Sequence, residues 1–189
     1  MAPPPPPPML SQAAAAARDT TGEVSRRLSD EAEQLSARMR QQAAHRAQQD
    51  KDFAVAMESG IRVIKHGRSG KPHERVLFIP AGRPTWIPRA ERDHRCVCWV
   101  KSPSPPGAPL NETQSSSLQW SLVRTVLPGN STDVFQRSLN QGPSECRVDV
   151  PGELCFSLLA DDRSLDIQCE TADQCAFLVR GFKAMLGQL

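Results

Sequence analysis

The stretch from Thr171 to Leu189 constrains the fold of this chain more than any other. Thr171, with Gln174 three residues on, forms a capping box, the signature of a helix N-terminus. Cys175, Leu178, Val179, Phe182, Met185, Leu186 and Leu189 then recur at helical spacing. A stripe that wide cannot face water, so it predicts a helix buried against whatever precedes it. What precedes it reads as short strands. Alternating runs fall near 61–66, 74–79, 96–101, 117–126, 154–160 and 164–169, split by turn residues. In 117–126, Leu118, Trp120 and Leu122 share a face. After a turn at Pro128-Gly129-Asn130, Val134 and Phe135 open a further short strand. The clearest hairpin is LCFSLLA to SLDIQC, joined by Asp161-Asp162-Arg163. There Leu165, Ile167 and Cys169 face one way, and Ser164, Asp166 and Gln168 the other. Many strands followed by one amphipathic helix predict a mainly β (α+β) domain, a small barrel or sandwich closed at one end by that helix.

Upstream the character changes. Residues 1–20 are a Pro/Ala-rich segment read as a disordered tail, its proline run a spacer or a ligand for a proline-recognising domain. Residues 21–59 predict an amphipathic helix with Val24, Leu28, Ala32, Leu35, Met39 and Ala43 in a narrow stripe, weak for a coiled coil. Residues 60–189 hold the whole strand-and-cap pattern, so they are expected to fold without residues 1–50.

The 189 residues carry a formal net charge of +2. Positive charge is therefore local, which argues against a general nucleic-acid binder. The N-terminal proline run is no secretory signal. None of the six cysteines forms a C-x-x-C motif, which predicts reduced thiols, no metal site and a cytosolic setting. His45, His66, His73 and His94 are placed in helix or loops, and no Ser/His/acid set stands out. Gly67-Arg-Ser-Gly70-Lys71 lacks the spacing of a P-loop, and Pro72 stands where its Ser or Thr would be. The expected protein is not an enzyme and needs no cofactor.

Positive charge concentrates in Gly60 to Arg75, GIRVIKHGRSGKPHER, a hairpin whose turn holds Gly67, Ser69, Gly70 and Pro72. By parity Ile61, Val63 and Lys65 share one face of the first strand, and Arg75, Leu77 and Ile79 one face of the second. Lys65 and Arg75 thus continue the core-side rows. Unpaired buried charge is costly, so both are expected at an open end, aimed into a shallow cup. Arg68 and Lys71 lie in the loop above. Such an arrangement suits an anion, phosphate above all.

Residues 60–189 resemble a pleckstrin homology (PH) domain of the phospholipase C type, in its plant-like form. The matching text is Gly60-x-x-x-Ile64-Lys65-His66-Gly67-Arg68-x-Gly70-Lys71-Pro72, Val123-Arg124-Thr125-Val126-Leu127-Pro128-Gly129-Asn130-Ser131-Thr132, Val134-Phe135-Gln136-Arg137, Phe156-Ser157-Leu158-Leu159-x-x-x-Arg163-Ser164-Leu165-Asp166-Ile167 and Gly181-Phe182-Lys183-Ala184. The resemblance implies a seven-stranded, strongly bent sheet capped by the C-terminal helix. It also implies a phosphoinositide headgroup site in the first hairpin. Lys65 and Arg75 match the family's headgroup-binding positions, and Lys101 lies near a third. A further phosphate-contacting lysine falls at Gly67 and is missing, leaving Arg68 or Lys71 to substitute. The family's tryptophan in the final helix falls at Leu178, so Trp99 or Trp120 is expected to fill the space. Pro80–His94 lengthens the second connection.

The function expected from these features is a non-catalytic phosphoinositide-binding module, cytoplasmic and peripherally, reversibly associated with membranes in signalling. Each Lys or Arg near an anionic surface contributes about 1 kcal/mol. The competing expectation is a protein-interaction adaptor, or self-association, through the N-terminal helix and proline tract, with the barrel as scaffold.

Overall fold

A computed structural model describes residues 9–67, 71–80, 96–101, 115–140 and 150–188, with side chains from residue 27 onward except residue 30. The chain divides into two compact units, Met1–Gln48 and Gln49–Leu189.

In the second unit seven antiparallel strands form one sheet in the order β4-β3-β2-β1-β7-β6-β5. They are β1 (Ile61–His66), β2 (His73–Phe78), β3 (Cys96–Lys101), β4 (Ser116–Gln119), β5 (Val123–Pro128), β6 (Cys155–Ala160) and β7 (Ser164–Gln168). The C-terminal helix α3 (Ala172–Met185) starts as its capping box requires: the Thr171 hydroxyl accepts from the Gln174 N–H at 3.1 Å. It buries Cys175, Leu178, Gly181 and Phe182 against the sheet's inner rows, among them Val63, Leu77, Val97, Leu118, Leu158 and Ile167. This is the PH-like architecture the sequence predicts. The sheet is not closed into a barrel by backbone pairing, because β4 and β5 remain its two edges. A side chain links the strand segments instead: Arg163 donates to the Ser117 carbonyl at 2.6 Å.

Two sequence readings are corrected. The run 117–126 is not one strand. Trp120–Leu122 make a 3-10 turn between β4 and β5, which takes Trp120 out of strand alternation. Its ring stacks on Phe182 with centroids 5.7 Å apart, and both Trp120 and Trp99 pack against the core cluster that contains Leu178. Second, Val134 and Phe135 open no strand. They lie in helix α2 (Asp133–Asn140), which packs on β1 and β7. Thr132 accepts the Phe135 N–H through its hydroxyl at 3.3 Å, and Asp133 complements the first turn.

The long helix α1 spans Met9–Ser59, beginning inside the stretch read as a tail. Gly60, with φ 87°, ends it and turns the chain into β1. Phe53 and Met57, near its C-terminal end, belong to the main core at 4% and 0% exposure. The compact unit thus starts at Gln49, not at Gly60, because two large apolar side chains lie just upstream of the first strand. The Phe53 ring packs edge-on against Phe182 at 5.2 Å and rests over Gly181, where a methyl group would overlap it. Gly181→Ala is therefore expected to cost roughly 1–3 kcal/mol, the usual penalty for overpacking, despite alanine's better helix propensity. Urea denaturation checks this, and an unchanged or raised midpoint would contradict the packing.

Candidate functional site

Register decides which side chains meet. β1 pairs with β2 so that Val63 opposes Arg75 and Lys65 opposes His73. β2 pairs with β3 so that Arg75 opposes Lys101 and Leu77 opposes Trp99. Trp99 in turn opposes Ser116 of β4. Directly opposed residues share a face. One face of β1–β4 therefore carries apolar Val63, Leu77, Val97 and Leu118 in the core, then a polar and cationic row beyond it.

That row forms an open groove of about 350 Å³ lined by Lys65, His73, Arg75, Trp99, Val100, Lys101 and Ser116. Lys65, Arg75 and Lys101 bring three cations to it, and none of its described lining residues is acidic. Lys65 and Arg75 are half-buried, whereas His73 and Lys101 are exposed. The Lys65 ammonium lies over the Trp99 ring, 5.5 Å from its centroid. A cation–π contact of this kind holds the long side chain over the groove. Arg75 donates through Nη1 to the Glu74 carbonyl at 2.7 Å, which fixes one edge of its guanidinium. Such a constellation can hold a phosphate by charge-assisted hydrogen bonds from separate strands.

The structure thus brings together Lys65, Arg75 and Lys101 of the residues expected from sequence. Lys71 is exposed in the connection and does not line the groove. Arg68 lies outside the described residues, as does the Pro80–His94 insertion apart from Pro80 itself. Sequence reasoning missed His73 and Ser116. Both follow from the hairpin register: His73 is the partner of Lys65, and Ser116 is the residue across from Trp99.

Behind the groove, on the opposite face, lies a buried polar cluster that sequence reasoning also missed. The assignment of His66 to helix or loop is corrected here: the residue is the last of β1 and 1% exposed. With Gln168 presenting its amide oxygen, His66 donates through Nε2 at 3.0 Å and accepts at Nδ1 from the Ser138 hydroxyl at 2.9 Å. The Phe135 ring packs on the imidazole with centroids 4.5 Å apart. Next to it the buried Asp166 accepts from Ser157 at 2.7 Å, Ser164 at 2.6 Å and Thr132 at 2.5 Å. The row Ser164, Asp166, Gln168 faces away from the main core as parity requires, but α2 covers it. The missed signal was helical spacing of Val134, Phe135, Ser138 and Leu139 after a Thr132 cap.

Burial pushes the His66 pKa below its usual value near 6.5, although Gln168 and Asp166 oppose that shift and Lys65 adds to it. The folded protein therefore holds this imidazole neutral, while the unfolded chain takes the proton more readily. The stability involved is fully present above about pH 6.5 and is lost as pH falls below it, toward the folded pKa. The urea midpoint of the wild type is expected to drop between about pH 7.5 and pH 5.5, and that of His66→Gln to drop less. Parallel pH profiles would show that another group is responsible.

The five described cysteines, Cys96, Cys98, Cys155, Cys169 and Cys175, are buried free thiols, and Cys146 lies outside the described residues. Burial pushes the Cys155 thiol up to about 11, which disfavours the reactive thiolate.

No protein-family model and no curated protein matches this chain. Among solved structures it is similar to Inner Membrane Complex Sub-compartment Protein 1 from Toxoplasma gondii, with 14% identity and a TM-score of 0.44, the match covering 75% of this chain and 93% of the other. It is also similar to Inner Membrane Complex Sub-compartment Protein 3 from the same organism, with 10% identity and a TM-score of 0.40, covering 75% and 85% of the two chains.

Proposed function

We propose that this chain is a non-catalytic PH-type module that attaches its protein reversibly to membranes by holding phosphoinositide headgroups in the groove on β1–β4. The observation that carries the reading is the convergence of Lys65, Arg75 and Lys101 on one groove whose described lining is free of carboxylates. Three separate strands supply the cations, so the charge is focused on one concave place rather than spread along a solvated loop. The resemblance of the first hairpin to the phospholipase C type of PH domain supports the same ligand class. Among the described residues no helix is long and apolar enough to cross a membrane. Attachment through this groove would be peripheral.

Sedimentation with vesicles of zwitterionic lipid, with and without a few per cent phosphoinositide, tests the reading. Binding is expected only to the phosphoinositide vesicles and should be displaced by a soluble inositol polyphosphate. Equal binding to vesicles carrying the same charge as phosphatidylserine would reduce the groove to general attraction. Indifference to both vesicle types would favour the adaptor reading.

A further inference from the structure

The unit Met1–Gln48 raises a separate question. Every described side chain from residue 27 to Gln48 is exposed, although the segment is continuous helix. Leu28, Leu35 and Met39 are 61%, 60% and 63% exposed. A helix with no packed face is marginal in water, since most helical stability in proteins comes from burying one side. Leu28, Ala32, Leu35 and Met39 are spaced four, three and four apart. That is the a/d spacing of a helix seam, with the leucines at d and Ala32 and Met39 at a.

The flanking charges select the occupant. Glu31 precedes Ala32 and Arg38 precedes Met39, so both lie at g, on the same side of the seam. They are two helical turns apart, about 10 Å. Place a second copy of the helix parallel and in register. Glu31 then falls beside Ser36 of the other copy and Arg38 beside Ala43, with no charge paired. Place it antiparallel, with Ala32 across from Leu35. Glu31 now meets Arg38 of the other copy, and the two-fold axis repeats the pair. The layers become Leu28 against Met39 and Ala32 against Leu35, each twice. Every alanine meets a large side chain, which fills the seam evenly.

We propose that the chain self-associates into an antiparallel homodimer through this stripe, with reciprocal Glu31–Arg38 pairs setting the orientation. The interface is isologous, so it closes at two copies and does not propagate. The dimer carries two of the grooves described above, but its existence is independent of what those grooves bind.

Sedimentation equilibrium of the full chain tests this. A reversible monomer–dimer equilibrium is expected, with a dissociation constant on the order of micromolar for so short a seam. Leu35→Glu, at an exposed position outside the compact β unit, is expected to weaken it by about 100-fold or more, since it buries unpaired carboxylates. Glu31→Arg and Arg38→Glu alone each create two like-charge pairs and should weaken it by about tenfold or more. The double variant Glu31→Arg/Arg38→Glu should return to within about threefold of the wild type, because the swap restores both pairs. A protein that stays monomeric up to about 200 µM overturns the proposal, a limit well above the expected constant. So does a dimer that survives Leu35→Glu, or a double variant no better than the single ones.

Discussion

A chain beginning at Gly60 is expected not to fold, whereas one beginning at Gln49 folds cooperatively. The difference lies in Phe53 and Met57. Phe53 contacts Phe177 and Phe182 with ring centroids 5.8 Å and 5.2 Å apart. Met57 is fully buried, and its carbonyl accepts the Ile79 N–H at 2.9 Å. Losing a buried phenylalanine side chain costs about 3–5 kcal/mol and a buried methionine about 2–5 kcal/mol. Their sum approaches the whole stability of a domain, about 5–15 kcal/mol. Within the full chain, Phe53→Ala alone should lower stability by about 3–5 kcal/mol, while Val55→Ala, at an exposed position between the two, should change it by less than about 0.5 kcal/mol. Near-ultraviolet circular dichroism and urea unfolding measure both. A sharp, native-like transition for the chain from Gly60 would show that the end of α1 is decoration.

The second large effect is expected in the groove. Lys65→Ala or Arg75→Ala should weaken binding to phosphoinositide vesicles by roughly 1.5–3 kcal/mol, the range for hydrogen bonds to charged groups. That is about tenfold or more for each, and about a hundredfold or more for the double variant. Lys101→Ala should act in the same direction but less, because its side chain is exposed and better solvated. Lys71→Ala, outside the groove, should have a small effect that added salt removes. Arg62→Ala is the matched control: it removes one exposed cation from the same strand, three residues before Lys65 and on the other face. Unfolding midpoints should stay close to the wild type, apart from the Lys65–Trp99 contact, which contributes about 0.5–1 kcal/mol at exposed sites. If Arg62→Ala loses as much binding as Arg75→Ala, attraction is diffuse and the groove is not a headgroup site.

Alternation made most of this architecture legible. Wherever apolar and polar residues took turns, as in 61–66 and 164–169, the strand was readable, and parity then placed Lys65 and Arg75 on the inner row. The capped stripe from Cys175 to Leu186 was readable for the same reason: one periodicity and one buried face. Failures came where periodicity was short or shared. Val134 and Phe135 are adjacent apolar residues, compatible with strand or helix, and only Ser138 and Leu139 a turn later separate the two. Trp120 and Leu122 keep strand alternation in the sequence while the backbone tightens into a 3-10 turn. Phe53 and Met57 continue a helix that, from Thr21 onward, carries only one thin stripe of large apolar residues before them. Nothing local announces that the environment changes from water to core within a single helix. Asp166 reads as a polar residue on an outer row, which is correct as to face but silent about the cover that α2 provides, and the assignment of His66 to helix or loop overlooks both its strand and that cover.

The alternation of a strand also ties the two faces together. Lys65 and His66 are consecutive, one turned to the groove and the other locked between Ser138 and Gln168. The last residue of β1 is therefore clamped from the rear, and the backbone carrying Lys65 cannot shift without disturbing α2. Beside it the Asp166 carboxylate takes three hydroxyl donors and stiffens the β6–β7 edge of the same clamp. The cost of ordering this end of the hairpin is met during folding and not when an anion arrives. Preorganisation of that kind leaves more of the contact energy to appear as affinity. It also means that a substitution such as Ser138→Ala, far from any anion, would loosen the groove's grip by freeing the strand that holds it.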